Sequence, residues 1–290
     1  MKTRIISGIV MAVLVAIVLT LGFVWSSWVT TIFAAILAVG AVYELLHNAA
    51  GIKIKAALIG AAVYTFAAII LFDEKITQKA QLLQDSFNYV AGDTGATSYW
   101  KLLFVLAGVL YLLYAVAVIL RSHSEFSLGK MATFIGFPYL LAVAFGCLAN
   151  VINHADGLYY ILMLFNFSCV CDMGAYFVGV TMGKHKLCPQ ISPKKTVEGA
   201  IGGILSSVVV GFIILLIFGR LSRALPTLLL TVPLCIIGML GDLLASSIKR
   251  SVGLKDYSNL IPGHGGILDR LDSILLISPV LYLYIMFGVM

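Results

Sequence analysis

The chain has 290 residues, of which 61% are hydrophobic and 11% charged; its formal charge is +6 and its mean hydropathy +1.05. Soluble domains carry roughly 25% charged residues. The composition therefore excludes a soluble globular protein and predicts an all-α polytopic integral membrane protein, whose expected surroundings are a lipid bilayer, with no nucleic-acid partner.

A helix needs roughly 20 apolar residues to cross a bilayer. The N-terminus, M-K-T-R followed by an apolar run, has the charge order of a signal peptide, but the run is too long for one and lacks a cleavage site. A retained first span over 5–24 is expected. Eight further candidates follow at 28–46, 56–72, 102–120, 131–152, 158–182, 200–218, 227–248 and 271–289, about nine in all. Glu44, near the end of the second, is expected to be a buried polar partner or an interfacial residue. Residues 73–101, with Asp73, Glu74, Asp85 and Asp93, form the one long exterior connection. It is expected to be a surface loop with a short helix around 77–87.

With the N-terminus in the cytoplasm, 14 of the 19 Lys and Arg fall on the cytoplasmic side and 5 on the other. This is the bias that membrane insertion favours. Both polar, basic loops, 183–199 and 249–270, then lie on the cytoplasmic face. Residues 1–157 are accordingly expected to be a scaffold of spanning helices, and 158–290 the catalytic region. The cysteines, Cys147, Cys169, Cys171, Cys188 and Cys235, are odd in number and form no CxxC pair, so they are expected to be small fillers. There is no internal repeat.

Ionisable residues inside spans carry the most information. A carboxylate at mid-bilayer costs roughly 2.5–3.5 kcal/mol, and so faces a wet cavity or a partner. Asp172 lies within the sixth span and Asp242 within the eighth. Asp242, Ser246 and Lys249 fall at i, i+4 and i+7, on one helix face. Asp269 and Asp272 are three apart at the start of the last span and share a face. Carboxylates beside a basic loop suit Mg²⁺ with phosphates, since Mg²⁺ takes one or two carboxylates and leaves other positions to water and substrate. Gly263, Gly265 and Gly266 would allow backbone N–H groups to approach a phosphate. Plainer readings compete. Asp269 and Asp272 suit a helix N-terminus in any case. Lys184, Lys186, Lys194 and Lys195 suit the cytoplasmic side in any case, and His264 can be an ordinary loop residue.

Residues 246–272 read S-S-I-K-R-S-V-G-L-K-D-Y-S-N-L-I-P-G-H-G-G-I-L-D-R-L-D. This run resembles the signature of the phosphatidate cytidylyltransferases, or CDP-diacylglycerol synthases. The matching positions are Ser246, Lys249, Arg250, Lys255, Asp256, His264, Gly265, Gly266, Asp269, Arg270 and Asp272. S-P-K-K-T-x-E-G at 192–199, D-x-G-A-Y-F at 172–177 and the opening K-T-R-I-I-S-G are similar as well. Val197 stands where bacterial members often carry Trp.

The resemblance implies a nucleotidyltransferase of phospholipid biosynthesis, using Mg²⁺ and converting CTP and phosphatidic acid into CDP-diacylglycerol and pyrophosphate. It implies metal ligation by Asp242 and Asp269, then Asp272 and Asp172. Catalytic roles would fall to Asp242, Asp269, Lys249, Arg250, Lys255, Asp256, His264 and Arg270. Substrate binding would fall to Ser192, Lys194, Lys195, Thr196, Glu198, Ser246, Gly265 and Gly266. It further implies a homodimer in a bacterial inner membrane, with a site open to the cytoplasm about two helical turns below the surface. Two alternatives stand beside it. One is a CTP-dependent relative acting on an isoprenoid ether lipid phosphate or a polyprenol. The other is an ion-coupled transporter using Asp172 and Asp242.

Overall fold

The computed structural model describes residues 2–24, 26–78 and 99–289. Among the described residues it forms nine long helices and one small hairpin. They are α1 (Lys2–Val24), α2 (Ser27–Ala49), α3 (Lys55–Phe72), α4 (Tyr99–Arg121), α5 (Leu128–Asn153), α6 (Gly157–Met182), β1 (Lys186–Cys188), β2 (Ser192–Thr196), α7 (Val197–Ile217), α8 (Ala224–Ser251) and α9 (Leu268–Met286). By length and apolar composition, seven of the helices can cross a bilayer. Of the other two, α1 carries the apolar stretch Ser7–Gly22, and α9 begins with Asp269, Arg270 and Asp272. The protein is an all-α polytopic membrane protein. The part of the expected exterior connection at 79–98 lies outside the described residues.

Two of the helices change pitch. The end of α2 widens into a π turn over Glu44–Ala49, and the middle of α6 does so over Asn166–Val170. Such turns insert one extra residue, re-aim the side chains that follow, and gather at functional sites.

The chain forms two compact units. The first comprises Met1–Asn153 with Tyr257–Ile267. In it α2 buries Ala34, Ala35, Ala38 and Ala41, whose small side chains permit close helix packing. Tyr64 and Tyr111 stack with centroids 4.4 Å apart. Asp73, expected on a surface loop, is instead fully buried. Its carboxylate accepts hydrogen bonds from Ile76 N at 2.8 Å, Asn153 Nδ2 at 2.8 Å and the Thr31 hydroxyl. A buried carboxylate is tolerable when its lone pairs are met by donors, and these join α2, α5 and the chain leaving α3.

The second unit comprises His154–Asp256 with Leu268–Met290. Here α7 buries Gly199, Gly202 and Gly203 where it packs on α6. The two helices are also tied by reciprocal bonds: Asn166 Nδ2 donates to Ser207 O at 2.9 Å, and Ser207 Oγ donates to Asn166 O at 3.1 Å. Pro233 in α8 and Pro279 in α9 sit within helices, as spanning helices permit when neighbours satisfy the freed backbone. The five cysteines are free; Cys147, Cys171 and Cys235 are buried.

Candidate active site

The polar site is assembled in the second unit from four elements. Asp172 comes from α6, two residues past the π turn. Lys195 comes from β2, Asp242 and Lys249 from α8, and Asp269 and Asp272 from the first turns of α9.

The crossing of α8 and α9 decides how close their carboxylates come. Gly241 precedes Asp242, and a Cβ there would lie 2.7 Å from Asp272 O and 3.2 Å from Ser273 Cα. Only a glycine lets the two backbones meet at this point, which sets Asp242 beside Asp272. Farther along α8, Ser246 Oγ donates to Asp242 Oδ1 at 3.3 Å, as the shared helix face requires. Lys249 Nζ donates to Asp269 Oδ1 at 2.7 Å; the two side chains are only 10% and 2% exposed. Lys195 Nζ forms an ion pair with Asp242 Oδ2. Asp172 lies in the field of Lys195 and Asp242, and Asp272 in that of Asp242, Lys249 and Asp172. Asp272 Oδ1 also accepts from Ser273 N at 2.7 Å. The acidic and basic candidates thus form one interleaved cluster.

Lys195 reaches this cluster because residues 183–199 are a hairpin and not an irregular loop. β1 and β2 pair antiparallel, with Lys186 opposite Thr196 and Cys188 opposite Ser192. Pro189 and Pro193, which lack an N–H, are confined to a turn and to a two-stranded ribbon with open edges. The base of the hairpin is held by Glu198. Its carboxylate accepts from Lys184 N at 3.1 Å and His185 N at 3.1 Å, and lies 2.5 Å from His185 Nδ1. Thr196 caps α7, its hydroxyl accepting from Gly199 N at 3.1 Å. Thr196 and Glu198, expected to contact substrate, are therefore engaged with their own backbone surroundings. Lys194 and Arg270 are exposed, and Ser192 is half-buried at the start of β2.

The end of α8 follows from its sequence. Gly253 adopts a φ of +72°, Leu254 N bonds Lys249 O at 2.8 Å and Gly253 N bonds Arg250 O at 3.1 Å. This is the left-handed stop that glycine provides after a helix. It turns Lys255 and Asp256 into exposed positions, and Arg250 Nη1 bonds Leu254 O at 3.1 Å.

His264, Gly265 and Gly266 belong to the first unit, with Tyr257–Ile267. Ile261 and Gly265 close a tight turn in which Gly265 N donates to Ile261 O at 3.1 Å. That N–H, expected to face a phosphate, is committed within the turn. Glu44, 2% exposed, is the buried polar partner its position suggested. Its Oε1 accepts from Ser258 Oγ at 2.6 Å and from Ile267 N at 2.9 Å, and a Cβ at Gly266 would lie 2.5 Å from the carboxylate. Sequence reasoning gave Glu44 no part in holding the signature. The faint signal available was a carboxylate at the end of an apolar run.

The family model described as cytidylyltransferase family matches residues 2–287. Proteins named phosphatidate cytidylyltransferase are similar: that of Staphylococcus haemolyticus is 41% identical over 172 residues, 58% of this chain and 66% of that protein. That of Staphylococcus saprophyticus is 41% identical over 173 residues, and that of Staphylococcus aureus 39% over 172, with the same shares covered. The chain spans about two thirds, 66%, of the length of the curated relatives it matches. A match that runs from residue 2 to residue 287 leaves one assignment: the chain belongs to the cytidylyltransferase family.

Proposed function

We propose that this chain transfers the cytidylyl group of CTP to phosphatidic acid, giving CDP-diacylglycerol and pyrophosphate, at the cytoplasmic face of a bacterial inner membrane. The observation that carries this reading is the convergence of Asp172, Lys195, Asp242, Lys249, Asp269 and Asp272 from four elements of one unit. Family membership and the names of the relatives support it.

In the proposed reaction an oxygen of the lipid phosphate forms a bond to the α-phosphorus of CTP, and the bond to the β-phosphate breaks as pyrophosphate leaves. The attacking oxygen is already anionic, so the protein need not supply a strong base. Its work is positioning and neutralisation of charge. Lys195 and Lys249 would meet phosphate oxygens from within the cluster, and Lys194, Lys255, Arg250 and Arg270 from its exposed margin. Ser246 would keep the Asp242 carboxylate oriented.

The donor set fits Mg²⁺. Asp172, Asp242, Asp269 and Asp272 offer hard oxygens, and four carboxylates against two lysines leave a formal charge of −2. Among the described residues, no three or more His, Cys, Asp or Glu are grouped so that they could hold a metal ion by themselves. That suits a cation held by one or two carboxylates together with water and phosphate. One or two of them would hold it, Asp242 and Asp269 ahead of Asp272 and Asp172. A bound Mg²⁺ supplies charge stabilisation at the phosphates and the departing pyrophosphate.

The test is pyrophosphate release by the purified protein in detergent with CTP and a panel of lipid phosphates. Release that requires both CTP and phosphatidic acid supports the proposal. Release only with an isoprenoid ether lipid phosphate, or conversion of CTP to CDP with a polyprenol and no pyrophosphate, refutes the lipid assignment. Solute flux in vesicles without nucleotide consumption refutes the enzyme.

A further inference from the structure

The π turn of α6 carries a bond pattern that an ordinary helix does not. The N–H of Cys171 reaches back five residues to Asn166 O. The same carbonyl accepts the Ser207 hydroxyl of α7 at 3.1 Å, so both of its lone pairs are filled. Asn166 Nδ2 returns a bond to Ser207 O at 2.9 Å, and the two residues are only 1% and 0% exposed. A side chain inserted into a helix ladder is an identifiable cause of a departure from α pitch. α7 can bring this one in because Gly203 faces the turn, where a Cβ would lie 2.5 Å from Cys171 O. The Ser207 hydroxyl also meets the buried thiols of Cys171 and Cys235, which ties α6, α7 and α8 at one point. Asp172 follows Cys171 directly, and Asp242 lies seven residues beyond Cys235 on the same face of α8. The two carboxylates thus stand just past the point at which their helices are joined.

The turn decides which residue of α6 faces the charged cluster. A π turn takes up one extra residue, so each later residue sits where its predecessor would stand in an unbroken helix. With α pitch throughout, Cys171 would stand in the place of Asp172. The carboxylate would move about 100° round the axis, to the place that Met173 holds now. Met173 is apolar and 54% exposed.

We propose that Ser207 and Asn166 are positioning residues: together they hold the π turn of α6, and the turn aims Asp172 at Lys195 and Asp242. The value of Asp172 to the reaction rests on the proposed cytidylyl transfer; the aiming does not.

Native cysteines report the rotation without any turnover. The protein in lipid nanodiscs is treated with a charged methanethiosulfonate, and modification is read at each cysteine by mass spectrometry. In the wild type Cys171 and Cys235 are both buried and are expected to stay unmodified. In Ser207→Ala the turn is expected to relax and bring Cys171 to the polar cluster, raising its modification about tenfold, the scale of one lost hydrogen bond. Cys235 is expected to stay protected. An unreactive Cys171 in Ser207→Ala overturns the proposal, and so does equal exposure of Cys171 and Cys235, which is general loosening. The kinetic readout uses a deletion. Removing Cys169, the exposed residue of the turn, leaves an unbroken helix with Asp172 in its present place. In the full-length chain Ser207→Ala is expected to lower kcat by about two orders of magnitude, the cost of a reactive group misplaced by about 1 Å. In the Cys169 deletion the same substitution is expected to cost little. An equal loss with and without Cys169 overturns the proposal. Absence of CTP turnover in the wild type refutes the parent reading instead, and the Cys171 result then decides the aiming.

Discussion

Replacing Lys249 by methionine removes one half of the buried pair with Asp269. The two groups lie 2.7 Å apart with side chains 10% and 2% exposed. At an effective dielectric constant of about 20, opposite charges at that distance attract by about 6 kcal/mol. Much of this is offset by the cost of removing both groups from water. What remains when the lysine is deleted is a buried carboxylate that has lost its cation, at a cost of about 3–5 kcal/mol. Thermal unfolding in detergent is expected to show a midpoint lowered by on the order of 10 °C in Lys249→Met. Asp269→Asn is expected to be destabilised less, because the longer lysine can move its charge toward water. The double variant, which removes both charges of the pair, is expected to recover most of the loss. A wild-type midpoint in Lys249→Met, or a double variant as unstable as the sum of the singles, would refute the reasoning.

The other predictions test the surroundings of this pair. Gly241→Ala pushes a methyl group to 2.7 Å from Asp272 O, so α8 and α9 must separate; turnover is expected to fall by about two orders of magnitude, the cost of misplacing reactive groups by about 1 Å. Thr196→Ala removes the α7 cap and is expected to cost about 1 kcal/mol in thermal unfolding, while Thr196→Ser retains it. Asp73→Ala strips a common acceptor from Ile76 N, Asn153 Nδ2 and the Thr31 hydroxyl. It is expected to destabilise by about 1–3 kcal/mol per donor left unmet, seen as increased proteolysis of the first unit. Asp242→Asn is expected to insert normally yet reduce pyrophosphate release nearly to background; near-normal rates would remove Asp242 from the metal site.

Much of the site was legible because unusual residues announce themselves in an apolar chain. Asp172 and Asp242 stood out as carboxylates within spans. The spacing of Asp242, Ser246 and Lys249 placed them on one face before the Ser246–Asp242 bond was seen. Contacts between distant elements were not legible. Nothing in the spacing says that Lys195 pairs with Asp242, because that depends on the β1–β2 hairpin, and a five-residue strand with a proline carries no periodic signal. The π turns were hidden for a related reason: one extra residue shifts a hydrophobic period too little to notice in an apolar helix. Asp73 was misplaced because a carboxylate beside a polar stretch reads as surface, whereas its partners Thr31 and Asn153 lie 42 and 80 residues away. For Glu44 the sequence left a buried polar partner and an interfacial residue both open, because its bond to Ile267 N spans 223 residues, beyond the reach of any local pattern.

The measurement that bears most directly on the account is the transfer of labelled cytidine from CTP into lipid. Purified protein in nanodiscs, given CTP labelled in the base, phosphatidic acid and Mg²⁺, is expected to move label into the organic phase as CDP-diacylglycerol. One pyrophosphate should appear for each CTP consumed, and chelation of Mg²⁺ should abolish both products. Label that stays in the aqueous phase while the protein remains folded, or transfer that proceeds unchanged in Asp242→Asn, would contradict the account.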